Sequence, residues 1–444
     1  MNIGVIIGRI GDVDGVALET EKWIEVLKRM GHNIFILSGQ YTRNIVEPEN
    51  ETFGPMLSFF SPECEWEQKR AFFFPRFEDL DELLEQLEYA STKIAIHIFE
   101  WIISNRIDII LSENASALPC HLSLGMGIKK VVKNTNIKVV CHDHDFYWER
   151  GERYESPLRE INDLVHGTFP LIAPNVKHAV INSYSKNILK EKFGIESVLV
   201  PNVMDFNKRY AEMDGYNRYM LDDIGLKEDD IPIFQATRIV RRKGIETAIE
   251  LIERIKDKKV KLIITGSYAD DERFGYYKEL VQLIKDKGLN DRVFFSRNRI
   301  LSKREKSTIG KKIYSLSDAY ASARACTYFS KYEGFGNAFI EAVLAKCPIF
   351  VNNYKPVFWP DIGSKGFKIV MIEDNILTDE AVSEICEIIY NDKLRNEITE
   401  YNFELGKKHF SFEVLEEKLT ELFIDETIKI NIPDMRRHKV DEKL

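Results

Sequence analysis

The chain has 444 residues, 44% hydrophobic, 30% charged and 11% aromatic, the make-up of a globular protein of two or three domains rather than a disordered or fibrous one. Acidic residues outnumber basic ones by 71 to 62, and residues 1–200 hold most of that excess, with 21 Lys and Arg against 29 Asp and Glu. The net charge of -9 argues against a non-specific nucleic-acid binder, and so acidic a first half is a poor electrostatic anchor for a membrane.

The predicted elements begin with Ile3 to Ile7, an apolar strand with neither a charged leader region nor a small-residue cleavage site before it. A Gly-containing loop (Gly8 to Gly15) leads into a helical pattern through Trp23, Val26, Leu27 and Met30, and Asn33 to Leu37 reads as a second strand. Strand, glycine loop, helix and strand open a doubly wound parallel sheet. Residues 52–77 form an irregular, aromatic segment broken by Pro55, Pro62 and Pro75, suited either to lining a ligand cleft or to covering a sheet edge. Further strands are expected at Ile107 to Leu111, Lys138 to Cys141, Ala179 to Asn182 and Val198 to Val200, giving one α/β domain over about 200 residues.

Pro201-Asn202 and the polar stretch to Asp230 read as linker and hinge. A second series of strands is expected at Ile231 to Ala236, Val260 to Thr265, Arg292 to Phe295, Ala325 to Phe329 and Pro348 to Val351, alternating with helices such as Gly244 to Ile255. The fold class is therefore α/β with two doubly wound, Rossmann-like domains. Its expected divisions are 1–205, 206–410 and a C-terminal segment 411–444, in which a helix over 411–424 packs back towards the first domain and a polar tail follows. The six cysteines stand singly, without zinc-ribbon or dithiol spacing, and no uncharged run approaches the roughly 18 residues of a membrane span. A cytoplasmic protein without stable membrane insertion is expected.

The chemistry is densest at Tyr332-Glu333-Gly334-Phe335-Gly336-Asn337-Ala338-Phe339-Ile340-Glu341, just after an apolar strand. Two glycines end the strand and open a helix whose free amides form an anion site, with Glu333 in the loop and Glu341 about two turns along the helix. Carboxylates bracketing a phosphate-binding helix start suit a sugar or ribose held beside a diphosphate; surface salt bridges are the plainer alternative.

This stretch resembles the signature of retaining glycosyltransferases of the GT-B fold, the family 4-like group of sucrose-phosphate and trehalose synthases. Thr237-Arg238-Ile239-Val240-Arg241-Arg242-Lys243-Gly244, Pro201-Asn202-Val203-Met204-Asp205, Ile264-Thr265-Gly266 and His142-Asp143-His144-Asp145-Phe146 are similar to further motifs of that family. The resemblance implies two domains facing across a cleft and a nucleotide-diphosphate sugar as substrate, with no cofactor and no metal. It makes Arg238, Lys243, Glu333 and His144 the catalytic set. Arg238 and Lys243 then hold the diphosphate, Glu333 and His144 meet the sugar, and Glu341 the ribose. Gly15, Gly266, Gly336, Asn337 and Ala338 complete the donor site. Attack by an acceptor hydroxyl on the front face retains the anomeric configuration.

Gly11-Asp12-Val13-Asp14-Gly15-Val16 stands where the family has G-G-V, with Asp14 in place of the first glycine, so Asp12 or Asp14 is left to face the acceptor. Arg9, Arg150 and Arg153 are candidates to clamp a phosphate or carboxylate on a small acceptor; pairing of the last two with Glu149, Glu152 or Glu155 is the alternative. Two other functions remain open at this point. The tripeptides Asp12-Val13-Asp14 and Asp143-His144-Asp145 match the metal-chelating D-x-D of metal-dependent glycosyltransferases, with His142 and His144 as further ligands, and a nucleotide-sugar-binding scaffold without turnover is the non-enzyme reading.

Overall fold

The computed structural model describes residues 1–12, 14–266, 275–296, 299–308 and 310–424. Val13, the centre of one D-x-D tripeptide, and the polar tail lie outside the described residues. The chain divides into two compact units, Met1–Pro201 together with the segment from Leu415, and Asn202–Val414.

The first unit is built on seven strands: β1 (Asn2–Ile7), β2 (Asn33–Ser38), β3 (Glu51–Phe53), β4 (Ile109–Glu113), β5 (Lys138–Asp143), β6 (Val176–Val180) and β7 (Ser197–Leu199). They lie in the order β3-β2-β1-β4-β5-β6-β7, all parallel. Strands covered on both faces read as continuous apolar runs, and every residue of β4 is buried. Ile6, Leu37, Trp101, Ile128 and Val139 meet in the core of this unit. The helix Leu80–Asn105, which the sequence reading did not anticipate, supplies Trp101 to it. The aromatic segment is not irregular throughout: Pro62–Gln68 is a helix started by Ser61, whose hydroxyl accepts from Cys64 N at 3.1 Å. The final helix, Phe412–Phe423, returns to this unit, where Lys177 Nζ donates to the Leu422 carbonyl at 3.0 Å.

In the second unit β8 (Ile231–Gln235), β9 (Val260–Ile264) and β10 (Val293–Phe295) are followed by a small three-stranded sheet of β11 (Ile300–Leu301), β12 (Glu305–Lys306) and β13 (Lys312–Ser315). The main sheet continues with β14 (Ala325–Tyr328), β15 (Ile349–Asn352) and β16 (Val370–Ile372), in the parallel order β10-β9-β8-β14-β15-β16. Both units are thus Rossmann-like. The division between the units falls at Pro201 and Asn202, where the expected linker begins, but the polar stretch that follows is folded. Met204 N donates to the Phe410 carbonyl at 2.9 Å, and fully buried Asn217 donates to Asp318 at 2.9 Å, so residues 202–230 pack as part of the second unit.

Strand order also places the sites. In an open parallel sheet, ligands bind beyond the carboxyl ends of the two strands at which the order reverses. In the second unit these are β8 and β14, whose following loops carry Arg238 to Lys243 and Glu333 to Gly336. In the first they are β1 and β4, followed by the loop of Arg9 to Asp14 and by Asn114.

Candidate active site

The loop after β8 turns through a short helix, Arg241–Lys243, and ends at Gly244, whose φ of 59° lies in the left-handed region. A Cβ there would stand 2.0 Å from the Phe329 carbonyl oxygen, so glycine lets this loop close on the end of β14. That closure brings the Lys243 ammonium onto the Glu333 carboxylate, and Arg242 Nη1 donates to the other oxygen of Glu333 at 2.7 Å. Lys243 and Glu333 are both buried. Burial alone would raise the Glu333 carboxyl, but the two cations outweigh it and hold the group below the usual carboxylate range. Arg242 and Arg238 in turn both repel Lys243 electrostatically, which places Arg238, an exposed residue, within reach of the same cluster.

Gln235, at the end of β8, fixes the loop from beneath. Its Nε2 donates to the Lys243 carbonyl at 3.2 Å and to Thr237 Oγ1 at 3.0 Å, while its oxygen accepts from Thr327 of β14 at 2.6 Å. Gly266, after β9, backs the same loop. A Cβ on Gly266 would fall 1.8 Å from the Thr237 carbonyl oxygen and 2.7 Å from Arg238 Cα.

The helix Asn337–Leu344 begins beside this cluster. Gly336 precedes it at φ 139°, and a Cβ there would lie 2.2 Å from the Tyr354 hydroxyl, which donates to the Phe335 carbonyl at 2.7 Å. No side chain caps the helix. Its first amides, at Asn337 and Ala338, therefore present the positive end of the helix dipole next to Lys243 and Arg242. Asn337 Oδ1 accepts from Asn202 Nδ2 at 2.8 Å, which ties the P-N dipeptide to the helix start. Glu341 lies on the helix and accepts from the Tyr320 hydroxyl at 3.3 Å. The structure thus gathers Lys243, Glu333, Gly336 and Asn337, with Arg238, at one strand crossing. It adds Arg242, which sequence reasoning passed over although three consecutive cations stood in the quoted motif.

The first unit treats the same motif differently. Asp14 is the N-cap of the helix Gly15–Arg29, accepting from Val16 N and Ala17 N at 3.0 Å each, and Arg9 Nε pairs with its second oxygen at 3.0 Å. The chain's own carboxylate thus fills the place a phosphate takes at a free helix start. Nothing lies within 4 Å of a Cβ built on Gly15. Gly15→Ala is accordingly expected to leave stability unchanged, whereas Asp14→Ala should lower it by about 1 kcal/mol, read from the denaturant midpoint. Equal effects would remove the capping role.

His144 is buried and lies beside His142, with ring centroids 4.2 Å apart. Arg150 pairs with Asp145 rather than with a neighbouring glutamate, and Glu149 accepts from Phe146 N at 2.8 Å and Ser185 Oγ at 3.1 Å. Arg153 donates to Gln68 at 3.0 Å and stacks its guanidinium over Phe73 (4.2 Å) and Tyr154 (4.6 Å), with Nη1 buried and unpartnered. The structure therefore joins Arg9 to Asp14 but sends Arg150 and Arg153 to separate partners. A pocket of about 430 Å³ beside them is lined by Tyr147, Trp148, Tyr154, Asn162 and His166.

Among the described residues three groups of side chains have metal-ligand spacing. In two of them the imidazole spends both nitrogens on the protein: His121 on Glu67 (2.6 Å) and the Met56 carbonyl (2.9 Å), His178 on Asp143 (2.8 Å) and the Leu171 carbonyl (3.0 Å). A metal there would have to displace one of these protein partners. The third group is Glu113, His142 and His144.

A cationic cluster and an open helix start at the switch point of one Rossmann-like unit, in a chain with two such units, suit a glycosyltransferase, and the relatives make the chain one. Residues 220–405 match the family model of glycosyl transferases group 1. The chain is 32% identical to mannosylglucosylglycerate synthase of Thermotoga maritima, over 95% of this chain and 99% of that protein, and 30% identical to the Petrotoga mobilis protein of the same name, over 92% and 98%. It belongs to the glycosyltransferase family that contains these synthases. Among solved structures, sucrose-phosphate synthase of Thermosynechococcus elongatus matches with a TM-score of 0.63 over 95% of this chain and 98% of that one, at 15% identity, a likeness of fold. Among the described residues no helix is long and apolar enough to cross a membrane.

Proposed function

We propose that the chain is a retaining, metal-independent hexosyltransferase of the family 4-like group, acting in the cytoplasm on a nucleotide-diphosphate sugar and a small anionic acceptor. The observation that carries this reading is the buried Lys243–Glu333–Arg242 cluster beside an uncapped helix start. When the sugar leaves, negative charge grows on the diphosphate. Arg238, Lys243 and the amides of Asn337 and Ala338 offset it from fixed positions without a metal. Lys243 on the diphosphate frees Glu333 to accept from sugar hydroxyls, while Glu341 takes the ribose diol and His144 a further sugar hydroxyl. Gly266 and Gly336 serve the donor by allowing close backbone approach. Gly15 has no such steric role.

The acceptor follows from the relatives matched end to end. Their product, by its name, is a mannosyl group joined to glucosylglycerate, which bears a carboxylate. A nucleotide-diphosphate mannose and glucosylglycerate are therefore the first pair to test. Arg153 is the better placed clamp for the carboxylate, since one of its nitrogens has no partner; Arg9 and Arg150 already face Asp14 and Asp145. The D-x-D alternative is disfavoured because Asp14, Asp143 and Asp145 each commit an oxygen to a protein donor.

A thermal-shift screen of nucleotide sugars identifies the donor, because a ligand at 100 times its Kd adds about 2.7 kcal/mol of stability. Transfer to glucosylglycerate is then followed by mass spectrometry in excess EDTA, with the anomeric configuration read by NMR. The expected result is undiminished transfer with retention. Activity that returns only on adding manganese or magnesium would establish the metal-dependent reading. Arg153→Ala should raise the acceptor KM and leave donor hydrolysis by water unchanged; an equal fall in both would make Arg153 structural.

A further inference from the structure

His144 is held by groups that donor chemistry alone does not require. β4 ends in Glu113, fully buried, and the next residue, Asn114, has φ 51°, a left-handed conformation that costs a non-glycine residue energy and survives only where the surroundings enforce it. The Asn114 side chain spans the end of β5. Its Oδ1 accepts from His144 N at 3.1 Å and its Nδ2 donates to Asp145 at 3.0 Å, while Asn114 N donates to the His142 carbonyl at 3.0 Å. Beneath this bracket, Glu113 Oε2 lies 3.0 Å from His142 Nδ1 and 3.7 Å from His144 Nε2, a buried nitrogen with no hydrogen-bond partner. Trp23, fully buried, stacks on His142 at 3.9 Å and 20°, so that His142 cannot swing away. Attraction by and hydrogen bonding from the two imidazoles outweigh burial and hold the Glu113 carboxyl below the usual carboxylate range.

We propose that Glu113 and Asn114 are positioning residues for His144, Glu113 keeping the ring proton on Nε2 and Asn114 fixing the backbone that carries the ring, so that Nδ1 accepts a hydrogen bond from the donor sugar. A carboxylate beside one imidazole nitrogen favours the proton there and leaves the other nitrogen as acceptor. The proposal rests on the reading that His144 meets the sugar. It explains why a left-handed asparagine and a buried glutamate follow one another at the crossing of β1 and β4.

The test compares the full-length wild type with Glu113→Gln, Asn114→Gly, His144→Ala and the double variant Glu113→Gln/His144→Ala, using the nucleotide sugar found in the donor screen and its nucleoside diphosphate alone. Glu113→Gln should lower kcat/KM by about 10- to 100-fold, the loss expected from a misplaced contact, with calorimetric affinity for the nucleoside diphosphate within about twofold of wild type. The double variant should be no worse than His144→Ala, because Glu113 acts only through that ring. Asn114→Gly tolerates φ 51° and loses only the side-chain bracket, so it carries the test if Glu113→Gln proves unstable, with a loss of the same kind. Losses that multiply in the double variant, or wild-type kcat/KM in both single variants, overturn the proposal while leaving His144 in its role. Full activity of His144→Ala instead overturns the reading on which it rests. Zinc-restored activity after EDTA, absent in Glu113→Gln, would make the cluster a metal centre and overturn positioning.

Discussion

Arg238→Ala lowers turnover by about 10²- to 10³-fold and leaves Tm unchanged, whereas Lys243→Ala loses turnover and stability together. The two cations have the same expected role on the diphosphate, and removing a preorganised charge contact costs that much in rate. Their surroundings differ. Arg238 is exposed, and substitutions at exposed positions usually change stability little. Lys243 is buried against Glu333, and its removal leaves a carboxylate in the interior with Arg242 as the remaining cation paired to it. Breaking a buried pair on one side costs about 3–5 kcal/mol, before discounting for the remaining arginine. Replacing both Lys243 and Glu333 with Met and Gln should recover much of the lost Tm but none of the activity. Steady-state kinetics and calorimetric melting of the four proteins check this. Unchanged turnover in Arg238→Ala and Lys243→Ala would remove the diphosphate clamp, and equal Tm values would contradict the burial of Lys243.

Gly266→Ala should be the most damaging single methyl group in the donor site. Its new carbon would occupy the space of the Thr237 carbonyl, which is backbone and cannot rotate aside as a side chain could. Overpacking of this kind costs about 1–3 kcal/mol and occasionally more. For a unit of this size each kcal/mol lowers Tm by roughly 2–4 °C, so a fall of several degrees is expected. Because the displaced atoms belong to Thr237 and Arg238, donor affinity should fall with it. Gly15→Ala serves as the control on the other unit. A Gly266→Ala protein with wild-type melting and donor affinity would show that the approach of these two loops is loose.

The second unit was the more legible because its chemistry is written in one continuous motif and its strands are plainly apolar. Glu333 and Gly336 stand in a stretch whose glycines and carboxylates after a strand have a direct chemical meaning, whereas Arg238 and Lys243 take their expected roles from the family resemblance. Apart from the long helix Leu80–Asn105, the elements that escaped are those with too little pattern to read. β3 and β16 have three residues each, and β11 and β12 two, held by neighbours rather than by their own periodicity. The polar run before Asp230 reads as a hinge because its burial depends on a distant partner: Asn217 is interior where it donates to Asp318, a carboxylate that Arg304 also holds. Asp14 is instructive in another way. As part of D-x-D it resembled half of a metal site, yet an aspartate immediately before a helical run is also a capping signal, and the capping role is the one the fold uses. Glu113 and Asn114 left no comparable trace, since one acidic residue at a strand end has no meaning until the neighbouring strand is known.

Asp14 also bears on stoichiometry. Each unit of this chain begins with the same supersecondary unit, strand, tight loop and helix, and an ancestral duplication of such a unit would carry two equivalent sockets for a nucleotide. With the amides at this helix start taken by the chain's own Asp14, which Arg9 also pairs, one nucleoside diphosphate per molecule is the expected stoichiometry in a calorimetric titration, and a second site would show that the aspartate can be displaced.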